Sequence, residues 1–251
     1  MPFDRLVGAG IALPGRASSI IVRGRGFSPV LGPSLPVHPF EAVASGSSQD
    51  VTVVSGCTTD EVLAFLAGDP DLWTLDDDDL RSRVRGLLGD EADLVIDRYR
   101  GLRPDESAAS LLIAIASDAL FRIQHVRLAE SIAAGGGGSH LYLFAFGHPD
   151  PDGRIRAMHG LDMPYVFDNV EVAPIADGPH AEALVGTMSG ALASLAHTGR
   201  PAHDGLPEWP VYTPDRRATM RIDVECAVVD DALGAERRCW DGIAAGAPTP
   251  R

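Results

Sequence analysis

The sequence predicts an α/β fold, because two short apolar segments typical of buried strands alternate with helical segments along the chain. The first is VTVVSG at residues 51–56, and the second is HLYLFAFG at residues 140–147. Both are rich in β-branched or aromatic residues and are short enough to be strands. The 251 residues, 45% of them hydrophobic and 22% charged, suffice for one large domain or two small ones with a buried core.

Helical patterns occupy the regions between and after these strands. Residues 58–68 predict a short helix with Thr59 and Asp60 as candidate N-caps. The four aspartates at 76–79 favour the start of another helix over a metal cluster, because helix N–H groups attract negative charge. Residues 107–134 predict two helices with a break near Ser117 and Asp118. Residues 181–197 predict an amphipathic helix, and a late strand is expected around residues 219–224.

The charge balance bears on the class of partner. The formal net charge is −14 with only 21 Lys and Arg residues, so no basic stripe is available to bind a polyanion. We therefore expect no nucleic-acid partner. The acidic surface indicates solubility.

The cysteines and the N-terminus bear on the compartment. Cys57, Cys226 and Cys239 are too few and too scattered for a disulfide framework or a zinc site, which favours a reducing environment without a metal or cofactor. The N-terminus lacks the pattern of a signal peptide. The longest apolar runs, such as residues 111–116, are too short to span a bilayer. We expect a cytoplasmic protein with no membrane partner.

Two residues that follow the predicted strands are candidates for catalysis. Glu61 comes shortly after the first strand, and His159 lies in the loop RAMHGLDMPYVFD after the second. In open α/β sheets, functional groups collect beyond the carboxyl ends of the strands, so these two side chains are expected to meet. A carboxylate on the imidazole N–H fixes the tautomer and stabilises the imidazolium formed during proton transfer. The pair would be two-thirds of a hydrolytic triad.

The segments around these residues resemble the type B carboxylesterase family. VTVVSGCTTDE resembles the strand and Gly-x-[Asn/Thr]-x-Asp-Glu motif that ends in the triad acid, and RAMHGLDMPYVF resembles the segment that carries the triad base. FSPVLGPSLPVHP and the closing LASLAHTGRPAHDGLPEWPVYTPDRRATMRID resemble further family segments in the same order. The resemblance implies that Glu61 is the acid and His159 the base. It also implies a partial α/β-hydrolase fold built from the C-terminal strands and helices of the central sheet.

The same resemblance divides the chain and suggests a pocket. Residues 1–26 form an irregular leader, residues 27–231 the C-terminal portion of an esterase-like domain, and residues 232–251 a tail. In the family, the segment after the base histidine lines part of the acyl pocket. Met163, Tyr165 and Phe167 are therefore candidate substrate-pocket residues.

The nucleophile of the family is missing from this sequence. No serine stands in a Gly-x-Ser-x-Gly elbow, and GTMSG at residues 186–190 has the wrong spacing. GGGG at residues 135–138 links a helix to a strand and does not match the oxyanion-hole motif. Cys57 is expected to be a buried, inert thiol rather than a replacement nucleophile. The sequence thus predicts no appreciable esterase activity for the isolated chain.

Several interpretations of the missing nucleophile remain open, so the sequence does not decide whether the chain is an enzyme. In a split enzyme, a separate serine-bearing chain would complete the site and a small carboxylic ester would be the substrate. In a non-catalytic interaction module, the partner would be another protein or a second copy of this chain. A gene fragment or a misplaced start codon would also explain the pattern.

Overall fold

The computed structural model describes residues 30–147 and 154–243, which form a four-stranded mixed sheet covered by helices. The predicted leader, residues 148–153 and the end of the predicted tail lie outside the described residues. The strands are β1 (Val53–Thr58), β2 (Ser139–Phe144), β3 (Ala218–Ile222) and β4 (Ala227–Asp230), in that spatial order. The pairings β1–β2 and β2–β3 are parallel, and β4 returns antiparallel to β3. The α/β prediction is confirmed.

The helices occupy most of the regions between the strands. They are α1 (Pro39–Ala44), α2 (Leu63–Leu66), α3 (Asp77–Leu88), α4 (Ala92–Leu102), α5 (Ala108–Ser117), α6 (Ile123–Ala134), α7 (Met163–Val166), α8 (Ala181–Thr198) and α9 (Gly234–Arg238). Short 3₁₀ turns occur at Leu72–Thr74, Gly89–Glu91 and Val170–Val172.

The aspartate run at residues 76–79 begins helix α3, as predicted. Asp76 is the N-cap, and its Oδ1 accepts hydrogen bonds from the backbone N–H groups of Asp78 at 3.0 Å and Asp79 at 2.9 Å. The Asp79 side chain reaches back to the Asp76 N–H and completes a capping box. Among the described residues, no group of three His, Cys, Asp or Glu side chains is arranged to hold a metal ion.

The predicted N-caps of helix α2 were wrong. The helix begins after Val62 without a side-chain cap. Thr59 and Asp60 instead belong to the turn that leaves β1. The Thr59 N–H donates to Phe144 O at 3.0 Å and the Asp60 N–H to Ala157 O at 2.8 Å. Their backbone therefore fixes this turn against β2 and its following loop.

Helices α5 and α6 join through a π-helical turn at Asp118–Arg122, where the sequence predicts a break. The resulting helical stretch Ala108–Ala134 has 27 residues and a mean hydropathy of 1.3 in its most apolar window. It is long and apolar enough to cross a membrane, although the separate runs within it are not. Because 72% of that window is buried in the fold, the stretch serves here as a core helix.

The apolar residues form two main cores, one among the helices and one on a face of the sheet. The helical core combines buried residues of α3, α4 and α5 with Trp240 and Ile243. The sheet core places Phe144 and Met220 against Leu184 and Met188 of α8. On the opposite face of the sheet, α6 packs over β2. The sheet is thus covered on both faces, as expected for parallel strands.

A buried ionic network ties Trp240 to the helical core. The Arg122 guanidinium donates to both carboxylate oxygens of Asp118 at 2.6 Å. Tyr99 Oη also donates to Asp118, and Trp240 Nε1 donates to Tyr99 Oη at 2.8 Å. Burial raises the pKa of Tyr99 far above its usual range, so the hydroxyl stays protonated as a donor. Through Trp240, the part of the predicted tail that the structure describes packs on the core.

Gly56 allows close contact at the centre of the β1–β2 pair. A Cβ atom at this position would lie 2.4 Å from both Cδ1 and the carbonyl oxygen of Tyr142. The strand therefore needs glycine where the Tyr142 ring crosses it.

We predict that Gly56→Ala lowers the free energy of unfolding by about 1–3 kcal/mol, because the added methyl group collides with Tyr142. The matched control is Gly86→Ala in the exposed part of helix α3, where a Cβ meets nothing within 4 Å. That change should raise stability by about 0.5–1 kcal/mol. Urea unfolding of both variants gives the comparison, and equal effects would contradict the role of Gly56.

We also predict that stability falls as the pH drops from about 7.5 to about 5.5, because burial lowers the pKa of His125 and of His140 in the folded chain. In this range the unfolded chain, with histidine pKa values near 6.5, takes up protons more readily than the folded one. Urea unfolding across the range measures the slope. In the double variant with glutamine at both positions the slope should flatten, and an unchanged slope would refute the assignment.

Candidate active site

Glu61 is held in the turn after β1 by two hydrogen-bonding contacts. Its Oε1 accepts a hydrogen bond from the Thr58 N–H at 2.7 Å, and its Oε2 lies 2.5 Å from His159 Nδ1. The residue is 4% exposed. The next residue is fixed as well, since the Val62 N–H donates to the buried Ser117 Oγ at 3.1 Å. The carboxylate is thus buried, bonded and fixed in direction.

His159 is held in the loop that follows β2. Its backbone N–H donates to the Glu61 carbonyl oxygen at 3.3 Å. Its ring lies near two aromatic rings, with centroid distances of 5.0 Å to Phe65 and 5.2 Å to Phe121. The side chain remains 47% exposed. The buried edge of the imidazole therefore faces the carboxylate while part of the ring is open to solvent.

The parallel register of β1 and β2 brings the two residues together. Thr58 and Phe144 are partners in the ladder, so both strands end at the same edge of the sheet. Glu61 and His159 follow these ends. With its Nδ1–H directed to Glu61, the imidazole has its lone pair on Nε2 and can accept a proton there. The arrangement has the geometry that a general base and an orienting acid require.

Within the described residues, no hydroxyl or thiol makes a hydrogen bond to His159 Nε2. Cys57 is 3% exposed, and burial, with the nearby Glu61 carboxylate as the next cause, raises the pKa of its thiol well above the usual value. This state agrees with the predicted inert thiol.

Three residues support the pair without having been singled out from the sequence. Phe65 and Phe121 flank the imidazole, and Ser117 binds the backbone beside Glu61. Ser117 is 1% exposed within a helix that is mostly apolar. A buried polar side chain in such a position needs a hydrogen-bond partner. This need is the feature of the sequence from which Ser117 could have been recognised.

The loop of His159 is also anchored just after the histidine, at Asp162. Tyr142 Oη donates to Asp162 Oδ2 at 2.9 Å, and Asp162 is 7% exposed. Because Tyr142 lies against Gly56, this hydrogen bond connects the centre of the sheet to the residues just after His159.

The three candidate pocket residues separate in the structure. Met163 and Phe167, which are 49% and 64% exposed, line an apolar groove of about 200 Å³ on the sheet face that carries α8. Tyr165 is fully buried, stacks on Phe144 and donates from Oη to Ala176 O at 2.8 Å. Its ring therefore packs in the core, away from the groove. Whether any of the three contacts a substrate remains a prediction.

Comparison with known proteins shows similarity to carboxylesterases. The sequence model of the carboxylesterase family matches residues 21–240. Phenmedipham hydrolase of Pseudarthrobacter oxydans is 29% identical over 202 residues, which are 78% of this chain and 40% of that protein. Para-nitrobenzyl esterase of Bacillus subtilis is 28% identical over 224 residues, 84% of this chain and 42% of that protein.

Solved structures show the same partial coverage. A carboxylesterase of Geobacillus stearothermophilus, EST55, is 29% identical and superposes with a TM-score of 0.77. The match covers 96% of this chain and 49% of that one. A para-nitrobenzyl esterase structure is 26% identical and superposes with a TM-score of 0.69. That match covers 85% of this chain and 43% of the esterase chain. The chain thus spans less than half the length of these relatives, and its fold is part of an α/β-hydrolase fold.

We predict that the Nδ1–H proton of His159 gives a proton NMR signal far downfield of the amide region, because it is held in a short hydrogen bond to a buried carboxylate. Glu61→Gln should remove this signal by replacing the charged acceptor with a neutral amide. Glu41→Gln, the same change at an exposed glutamate of helix α1, is the matched control and should keep the signal. A signal that is unaffected by Glu61→Gln would show that the pair does not form in solution.

Proposed function

Since this chain belongs to the carboxylesterase family, we propose that it supplies the acid and the base of a serine-esterase site, with Glu61 orienting His159. The 2.5 Å contact between Glu61 Oε2 and His159 Nδ1 carries the proposal, because it prepares Nε2 to accept a proton. The ring's exposure leaves room for a reacting group.

In this role His159 acts first as a base and then as an acid. Nε2 removes the proton of a serine hydroxyl as its oxygen attacks the ester carbonyl, and the imidazolium then protonates the leaving alcohol. Water hydrolyses the acyl-serine by the same proton transfers. The serine and the oxyanion donors would come from polypeptide outside this sequence, in keeping with its coverage of 40% and 42% of two relatives. Without them, the isolated chain should be inactive.

The substrate class proposed is a small carboxylic ester, which the name of para-nitrobenzyl esterase among the relatives supports. A cytoplasmic location is part of the same proposal, supported by Cys57, Cys226 and Cys239, all of which are free thiols.

A non-catalytic interaction module is the second candidate. The observation that favours it is the lack of a hydroxyl or thiol bonded to His159 Nε2 in the described part of the chain. Replacement of Glu61 and His159 by alanine would leave the partner binding of such a module intact.

The test is complementation by the first half of Bacillus subtilis para-nitrobenzyl esterase, where the family resemblance implies the serine. This half is co-expressed with the present chain, and hydrolysis of a p-nitrophenyl ester is the readout. We expect no appreciable turnover by this chain alone and measurable turnover by the pair. His159→Ala should lower the rate of the pair by about 10²- to 10⁴-fold, because the general base is lost.

His197→Ala, which removes an exposed histidine of helix α8, is the control and should leave the rate unchanged. Turnover by the isolated chain that disappears with His159→Ala would mean that this chain contains its own nucleophile. Turnover of the pair that survives His159→Ala would refute the proposed role of the histidine.

A further inference from the structure

Strand β1 lies at the edge of the sheet, and its backbone shows which groups face outward. The Val53 N–H donates to Gly138 O and the Thr59 N–H to Phe144 O, both at 3.0 Å and both toward β2. Because successive residues of a strand direct their backbone groups to opposite sides, the N–H and C=O groups of Val54 and Gly56 point away from β2. In the described part of the chain, no strand pairs with this edge.

The open edge ends at the candidate active site. The Thr58 N–H points in the same outward direction as those of Val54 and Gly56, but Glu61 Oε1 accepts its hydrogen bond. The unpaired part of β1 therefore runs up to Glu61 and stops there.

An apolar groove adjoins this edge. The side chain of Val54 lines it together with Met163, Phe167, Met188 and Leu192. Phe167 is 64% exposed and Met163 49%, which is unusual for side chains of this size. The outward edge of β1 and this groove, defined by Val54, Gly56, Met163, Phe167, Met188 and Leu192, are called the β1 surface below.

We propose that the β1 surface docks a polypeptide that carries the serine-bearing half of the same fold and adds a parallel strand beside β1. The inference rests on the proposed function, since it identifies the partner that completes the site. The EST55 structure matches 96% of this chain with 49% of its own, so about half of that fold has no counterpart here. An open strand edge and an exposed apolar groove are the surfaces that such a missing half would cover.

The direction of the added strand explains how it would complete the site. The pairings β1–β2 and β2–β3 are already parallel. A further parallel strand would end at the same edge of the sheet as β1, beside Glu61 and His159. The end of that strand would then lie on the side of the sheet that carries the candidate site, which is where functional groups of such sheets collect.

Electrostatics argue against a second copy as the occupant. Each copy has a formal net charge of −14, so self-association works against like charge. Two β1 edges related by a twofold axis would also pair antiparallel, which would not place a strand end of the partner beside His159.

The test uses the full chain with the first half of Bacillus subtilis para-nitrobenzyl esterase joined ahead of it through a protease-cleavable linker. The linker gives both halves a high effective concentration during folding. After cleavage, sedimentation velocity measures whether the two polypeptides remain associated. We expect them to co-sediment.

Val54→Pro is the diagnostic variant, because it removes an outward N–H that β2 does not use. Val228→Pro is its matched control on β4, at the opposite edge of the sheet. The Asp231 N–H donates to Arg217 O, so the alternation directs the Val228 N–H outward as well. Both valines are half-buried. In the isolated chain, the two variants should have similar melting temperatures. In the cleaved pair, only Val54→Pro should lower the affinity between the two polypeptides, by at least about tenfold.

Three outcomes would overturn the proposal that the β1 surface docks this partner. They are separation of the wild-type halves after cleavage, an insoluble joined chain, and equal association by both proline variants. A dimer of the isolated chain that is lost in Val54→Pro would identify a second copy as the occupant and would also overturn it. Failure of the proposed function is distinguishable, because it appears as association without ester hydrolysis. His159→Ala should lower the rate of hydrolysis by about 10²- to 10⁴-fold and leave association intact.

Discussion

The carboxylate of Glu61 is the point on which the site depends. One oxygen accepts the last outward N–H of β1 and the other meets the imidazole of His159, so a single buried side chain joins the end of one strand to the loop after the next. A buried carboxylate without such partners would be costly. The contact is therefore favoured by the stability of the fold and also leaves the imidazole with the tautomer that base catalysis needs.

The rest of the molecule keeps that contact in place. Phe65 and Phe121 limit the positions of the ring, and Ser117 fixes the backbone beside the acid. Phe65 comes from α2, and Phe121 and Ser117 come from the long helical stretch. Glu61 and His159 are thus held by several contacts besides the hydrogen bond between them.

The sequence predicts the two strands and the proximity of Glu61 and His159, because buried parallel strands have a clear composition and their carboxyl ends meet at one edge. It could not place Tyr165. In a one-turn helix Met163 and Phe167, four residues apart, share a face, and Tyr165 points to the other side. Strand β4 was missed because four residues with only two valines give a weak pattern. Thr59 has the chemistry of an N-cap, but long-range pairing with Phe144 determined its place.

The π-helical turn at Asp118–Arg122 has a consequence for helical phase. A π turn inserts one extra residue, which rotates everything that follows by roughly 100° about the axis. Helix α5 can therefore face the helical core while α6, on the same rod, faces the sheet and places His125 Nδ1 2.7 Å from Ser55 Oγ. A one-residue deletion here would leave a regular helix and yet turn α6 away from the sheet. The length of this segment is thus constrained more tightly than its composition.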